Sequence, residues 1–161
     1  MTRAYLDTNF LFGLFRQAEG VATGDPAFVG WRQRVETEMG VDLPVISALV
    51  VDELAYRMVL AWISDGGEQD PLRTYRADTP GVMRRMRTKL RGLWKSMAQL
   101  EPELTPSENQ DVVLAQTLMV DPGLAPRDAF HAAYAIRGAC RWIVSSDAAF
   151  DRLDRIDRLG P

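Results

Sequence analysis

The chain has 161 residues, 47% of them hydrophobic, which is enough for one domain with a sizeable core and too short for two. Nineteen basic against twenty-two acidic side chains leave a net charge of −3, so a uniformly basic nucleic-acid binder is excluded and any such binding must be local. The single cysteine, Cys140, excludes an internal disulfide and a cysteine-based zinc cluster, and the N-terminus reaches Asp7 before any apolar leader develops, so a cytoplasmic protein without a membrane anchor is expected.

The apolar run at residues 4–6 stops at Asp7 and reads as a buried parallel strand followed by a turn. A helix is expected over residues 9–16. Asp25-Pro26 has the form of a capped helix start, leading through Phe28, Val29, Trp31 and Val35 to a stop at Gly40. The next strand is expected over residues 42–46, after which Ser47 caps a helix whose Leu49, Val50, Leu54, Met58 and Ile63 fit helical spacing. Residues 64–81 are rich in Gly, Asp and Pro and read as a loop. Residues 82–100 then form a second long helical segment carrying Arg84, Arg85, Arg87, Lys89, Arg91 and Lys95 and no acid, so the acidic excess falls on the rest of the chain. A short strand is expected over residues 103–105 and a capped helix over 107–118. Pro126 opens another helix over 127–137, whose Ala129, Ala132, Ala133 and Ala135 allow close approach to a sheet. Residues 142–144 form the last clear strand, and Asp147 opens a final short helix.

Strands alternating with helices imply an α/β fold with a parallel sheet covered on both faces, and such sheets bind ligands beyond the carboxyl ends of their strands, where the strand order reverses. Asp7 and Asp147 follow strands directly or within a few residues, and Glu53 and Asp128 lie near the starts of adjacent helices. All four can face one cleft. Each also has a simpler reading: Asp7 and Asp147 as helix caps, and Asp128 as a first-turn acid favoured by the helix dipole. Glu53 lies too deep in its helix to cap it and is surrounded by apolar residues. Its neighbour Asp52 competes for the same role, but consecutive helical side chains point about 100° apart, so only one of the two faces the cleft.

Four signatures in this order, Tyr5-Leu6-Asp7-Thr8-Asn9, Ser47 through Glu53, Arg127-Asp128-Ala129-Phe130 leading an Ala-rich helix, and Ser145-Ser146-Asp147 before Phe150, resemble the PIN-domain ribonucleases, and more narrowly the VapC-type toxins of toxin–antitoxin pairs. The resemblance spans nearly the whole chain. It implies a single PIN domain over residues 1–161, with a three-layer α/β/α fold, a central parallel sheet of four or five short strands, and an inserted helical segment at about 64–100. It selects Glu53 over Asp52 and implies that Asp7, Glu53, Asp128 and Asp147 hold Mg²⁺ or Mn²⁺, hard cations that prefer oxygen ligands. Thr8, Asn9 and Ser145 are implied as supports of those carboxylates, RNA as the substrate, an antitoxin protein as a partner, and a homodimer as the assembly. The chain departs from the family in its longer 64–100 segment and in ending at Leu159-Gly160-Pro161, where Arg158-Leu159 supplies at most a fragment of a fifth strand.

His131, one turn after Asp128, reads as a packed or solvent-facing residue in preference to a cleft residue. The cations of the 82–100 segment read equally as a track for the RNA backbone or as a solvated helix face. Phe10, Phe12, Leu14, Phe15, Met58, Leu60 and Trp62 offer apolar surface for either the core or a dimer seam. Alternatives to the toxin reading are a PIN nuclease of RNA processing, an idle PIN-like binding module, and a phosphotransfer receiver, the last lacking its lysine after a late strand.

Overall fold

The computed structural model describes residues 2–20, 26–40 and 43–161. The expected Asp25 cap and the Asp42 strand start lie outside them. The opening apolar run becomes β1 (Arg3–Leu6), followed by α1 (Thr8–Ala18) and α2 (Pro26–Met39). Next come β2 (Leu43–Ser47), α3 (Ala48–Asp65), α4 (Pro71–Ala77) and α5 (Thr79–Gln99). The second half holds β3 (Glu103–Thr105), α6 (Asn109–Val120), α7 (Pro126–Arg137) and β4 (Trp142–Val144), then a 3₁₀ turn (Ala148–Arg152) and β5 (Asp157–Arg158).

The five strands form one sheet in the order β3-β2-β1-β4-β5, parallel throughout. The chain winds outward from β1 to β3 and then returns to the other side of β1. With right-handed crossovers this puts the helices of the two halves on opposite faces. Contacts follow that division, with α1 and α4 packed on α3, α5 on α4, and α6 on α7. The register sets Leu6 beside Val144 and Tyr5 beside both Val45 and Ile143. Ala4, Tyr5, Ile143 and Val144 are fully buried, as the continuous apolar character of strands covered on two faces requires. Ala129, Ala132, Ala133 and Ala135 of α7 are likewise fully buried, and their small side chains let that helix lie close to β2 and β4.

Two expectations change. The segment read as a loop over residues 64–81 contains the end of α3 and all of α4. Asp70-Pro71 is itself a helix start, with the Asp70 carboxylate accepting the Arg73 N–H at 3.0 Å. Asp78, followed by Thr79-Pro80, caps α5 in the same way through the Gly81 N–H. On α6 the cap is Glu108, which exchanges hydrogen bonds with Asp111 in a capping box, while the Ser107 hydroxyl pairs with the Tyr134 hydroxyl at 2.9 Å. Among the apolar residues that were ambiguous between core and seam, Phe10, Phe15, Met58 and Trp62 are buried in the core, and Phe12, Leu14 and Leu60 pack against it. Arg158 supplies part of the short fifth strand, as expected of a fragment, and pairs with Ile143.

Along α5 the buried side chains are Val82, Leu93 and Met97, with Met86 and Leu90 partly buried beside them. Arg84, Arg87, Arg91 and Lys95 recur at three- and four-residue spacing on the opposite side and are all exposed, so they form one stripe. Lys89 extends over the Trp62 ring at 5.5 Å.

Candidate active site

Strand order reverses at β1, and the chain leaves β1 and β4 side by side at that rim. The Asp7 N–H donates to the Val144 carbonyl at 3.1 Å, continuing the β1–β4 ladder one residue beyond the strand. The Asp7 side chain is buried and fully engaged. Its Oδ1 accepts the Thr8 N–H at 2.7 Å, and its Oδ2 accepts the Asn9 amide at 3.1 Å and the Ser145 hydroxyl at 2.5 Å. Asp7 is therefore the cap of α1 and a rim carboxylate at once. The other end of the Asn9 amide accepts from Arg57 at 2.6 Å, which fixes which way that amide points.

Glu53 on α3 reaches the same place. Its Oε2 accepts the Thr8 hydroxyl at 2.8 Å and lies 3.0 Å from His131 Nε2, and its Oε1 pairs with Arg127 at 3.1 Å. Burial pushes the Glu53 carboxyl upward, but the bonds from His131 and Thr8 and the charge on Arg127 outweigh it, so it ionises below its ordinary range. Asp52 hydrogen-bonds to none of these groups among the described residues and is exposed at the cleft wall.

His131 is both packed and in the cleft. It is 2% exposed, with Nδ1 2.9 Å from the Tyr5 hydroxyl, which in turn lies 2.7 Å from Ser47 Oγ. Burial drives the Tyr5 hydroxyl well above its usual pKa, so it stays a phenol. An ionised Glu53 can only accept, so this hydrogen bond requires a hydrogen on His131 Nε2, which the Nε2–H tautomer and the imidazolium both supply. The result is a buried chain of hydrogen bonds, Ser47–Tyr5–His131–Glu53, running from β2 across β1 to the cleft. Sequence reasoning placed His131 outside the site. The available signal was its spacing from Asp128, one turn along the same helix face.

Asp128 differs from the other acids. It is partly buried, and neither a hydrogen-bond donor nor a cation pairs with it among the described residues. Burial first, then the negative charges of Asp147, Asp7 and Glu53, push its carboxyl above the ordinary value, with His131 offsetting only part. Asp147 stands beside it as the cap of the 3₁₀ turn, its Oδ1 accepting the Ala149 N–H at 2.8 Å and its own N–H donating to Ser145 Oγ at 3.1 Å. Ser145 thus ties Asp147 to Asp7. The open cleft of about 520 Å³ is lined by Asp7, Asp52, Glu53 and Asp128 against the cations Arg57 and Arg127. One potential ligand atom each from Asp7, Glu53 and His131 lies within 4.8 Å of the others. Since Nε2 of His131 is occupied as a donor to Glu53, oxygens are the ligands this cleft offers.

A family model described as the PIN domain matches residues 4–156. The chain belongs to the PIN domain family. Among curated proteins none matches it. The solved structures similar to this PIN domain include VapBC2 from Rickettsia felis bound to a DNA fragment from its promoter, at 13% identity and TM-score 0.48, covering 96% of each chain. DNA-bound VapBC from Salmonella typhimurium is 16% identical with TM-score 0.47, covering 98% of this chain and 97% of that one. VapBC-1 from nontypeable Haemophilus influenzae is 14% identical with TM-score 0.47, covering 96% of this chain and 95% of that one. Membership of the PIN domain family rests on the sequence match over residues 4–156.

Proposed function

We propose that this PIN domain is a Mg²⁺- or Mn²⁺-dependent endoribonuclease that hydrolyses RNA phosphodiester bonds and acts in the cytoplasm as the toxin of a toxin–antitoxin pair. The observation that carries the nuclease reading is Asp128, a partly buried carboxylate held next to three others with no cation paired with it among the described residues. A hard divalent cation supplies the missing positive charge, and oxygen donors are what it prefers. Asp7, Glu53 and Asp128 would hold it, with Asp147 as a fourth carboxylate. Thr8, Asn9 and Ser145 fix the carboxylates through the hydrogen bonds described above, and His131 fixes Glu53. When bound, the cation lowers the pKa of an attacking water and stabilises charge on the phosphate.

The chain's own residues do the rest. Arg127, whose side chain is 71% exposed, is free to swing from Glu53 to a substrate phosphate. The α5 stripe of Arg84, Arg87, Arg91 and Lys95, with Arg85 and Lys89 beside it, tracks RNA backbone without reading sequence. The toxin role is supported by the four-signature resemblance, and it brings with it an antitoxin protein and a homodimer. No helix among the described residues is long and apolar enough to cross a membrane.

The test is sequencing of RNA ends after induction of the wild-type chain and of Asp7→Asn in parallel, together with in vitro cleavage in Mn²⁺ and in EDTA. Discrete cuts present only in the wild type and only with metal are expected. Identical end profiles would sink the nuclease reading. A small gene for a DNA-binding protein directly upstream, whose product abolishes the cuts, supports the toxin role; RNA processing in its absence replaces it.

A further inference from the structure

Tyr56 is a large aromatic side chain left 38% exposed on the wall of an acidic cleft. It lies three residues beyond Glu53 and four beyond Asp52, so it shares the cleft-facing side of α3. Its ring contacts Tyr75 of α4 edge to face, with centroids 5.6 Å apart and planes at 80°. Tyr75 is itself packed against the core, so it braces the exposed ring. Core packing does not account for Tyr56, which leaves over a third of its surface exposed and lines the cleft. Its hydroxyl is not committed to a hydrogen bond among the described residues either.

We propose that Tyr56, braced by Tyr75, is a stacking platform for the nucleobase adjoining the cleaved phosphodiester. The inference rests on the nuclease reading and names a residue that positions the substrate in the same site. Three residues of helix advance about 4.5 Å along its axis, a step that fits one nucleotide, with the phosphate at Glu53 and its base at Tyr56. In the same cleft lining, Arg127 supplies a phosphate contact, whereas Arg57 is already committed to Asn9 and to the Phe12 ring, 4.4 Å away. Every base has a π-face, so the platform is tolerant of sequence. A base inside a duplex is stacked on both faces and cannot offer one, so single strands, loops and bulges are selected. The inserted segment thereby acquires a local purpose: α4 delivers Tyr75, and α5, capped by Asp78, starts immediately after it.

The test uses the full chain carrying Asp128→Asn, so that RNA is bound without being cut, and short single-stranded oligoribonucleotides with 2-aminopurine at each position in turn. Quenching at one position is expected, lost in Tyr56→Ala and kept in Tyr56→Trp. Affinity by fluorescence anisotropy should fall about 5- to 140-fold in Tyr56→Ala and by a smaller factor in Tyr75→Ala, and a fully paired duplex should bind weakly. In the cutting background the Tyr56→Ala change should appear in KM more than in kcat. Equal affinity of Tyr56→Ala and its parent overturns the platform and leaves the nuclease intact. Weakened binding with no quenching at any position also overturns it, assigning Tyr56 to cleft shape or a protein contact. Failure of the parent to bind any oligoribonucleotide, with no cleavage by the wild type in Mn²⁺, overturns both readings.

Discussion

Replacing His131 separates its two hydrogen bonds, because glutamine carries an amide nitrogen near the position of Nε2 and asparagine one near Nδ1. In His131→Ala, the Tyr5 hydroxyl retains Ser47 and Glu53 Oε2 retains Thr8, so neither partner is left bare. Each lost bond then costs near the low end of the range for a buried partner, about 1 kcal/mol, or about 2 kcal/mol together. For a domain of this size that lowers Tm by roughly 4–8 °C. Mn²⁺ affinity and cleavage should fall roughly 10- to 100-fold, as when an outer hydrogen-bond partner of a metal ligand is removed. If His131 acts by orienting Glu53, His131→Gln recovers most of the metal affinity and the rate, while His131→Asn recovers stability through Tyr5 without recovering function. Isothermal titration calorimetry with Mn²⁺, RNA cleavage and thermal unfolding on the four chains decide it. Equal metal affinity and activity in the Gln and Asn variants, or wild-type values in Ala, would refute the reasoning.

Asp128→Asn should stabilise the metal-free chain in EDTA at about pH 7, by roughly 2–4 °C for about 1 kcal/mol. The native carboxyl binds its proton more tightly than the unfolded one, whose ordinary value is 3.8, so the wild type loses stability as pH rises from there through the raised native value. The advantage of the Asp128→Asn variant should therefore vanish in strong acid, and saturating Mn²⁺ should reverse it; a wild type more stable than Asp128→Asn in EDTA at neutral pH contradicts the raised pKa. Arg87→Glu combined with Arg91→Glu should weaken single-stranded RNA binding, and if two phosphate contacts are lost the salt slope should shrink by about 1.4. An unchanged slope in anisotropy titrations would show the stripe to be merely solvated. Finally, Arg137→Met strands the carboxylate of Asp111, which is 1% exposed and bound to Arg137 Nε at 2.6 Å. The expected loss is about 3–5 kcal/mol, with cleavage unchanged below the melting range, and a urea midpoint near wild type would argue against it.

Asp111 shows where sequence reading stops. Like Asp128 it is an acid in the first turn of a helix, and like Asp7 it is buried, yet its partner Arg137 makes it a structural ion pair remote from the cleft lining. Nothing local distinguishes it from Asp128, because the distinction is the presence or absence of a paired cation on another element. Likewise, α4 was hidden inside a segment whose Gly, Asp and Pro content suggested a loop. Those residues cap and punctuate helices as readily as they interrupt them.

By itself the sequence determined the alternation of strands and helices and the parallel sheet, which follow from periodicity and chain connectivity, and it permitted Asp7, Glu53, Asp128 and Asp147 to share one rim. Helix geometry allowed only one of Glu53 and Asp52, about 100° apart, to face the cleft, and the family resemblance favoured Glu53. Only the tertiary structure decided which side chains meet. Ser145 reaches Asp7 because β1 and β4 pair with Leu6 beside Val144, and His131 reaches Tyr5 across 126 residues because α7 packs with its alanines against the sheet. Tyr56 meets Tyr75 because α4 folds back on α3. Such contacts depend on register, crossover and the stacking of layers, and these are fixed only when the apolar faces of separate elements are buried together.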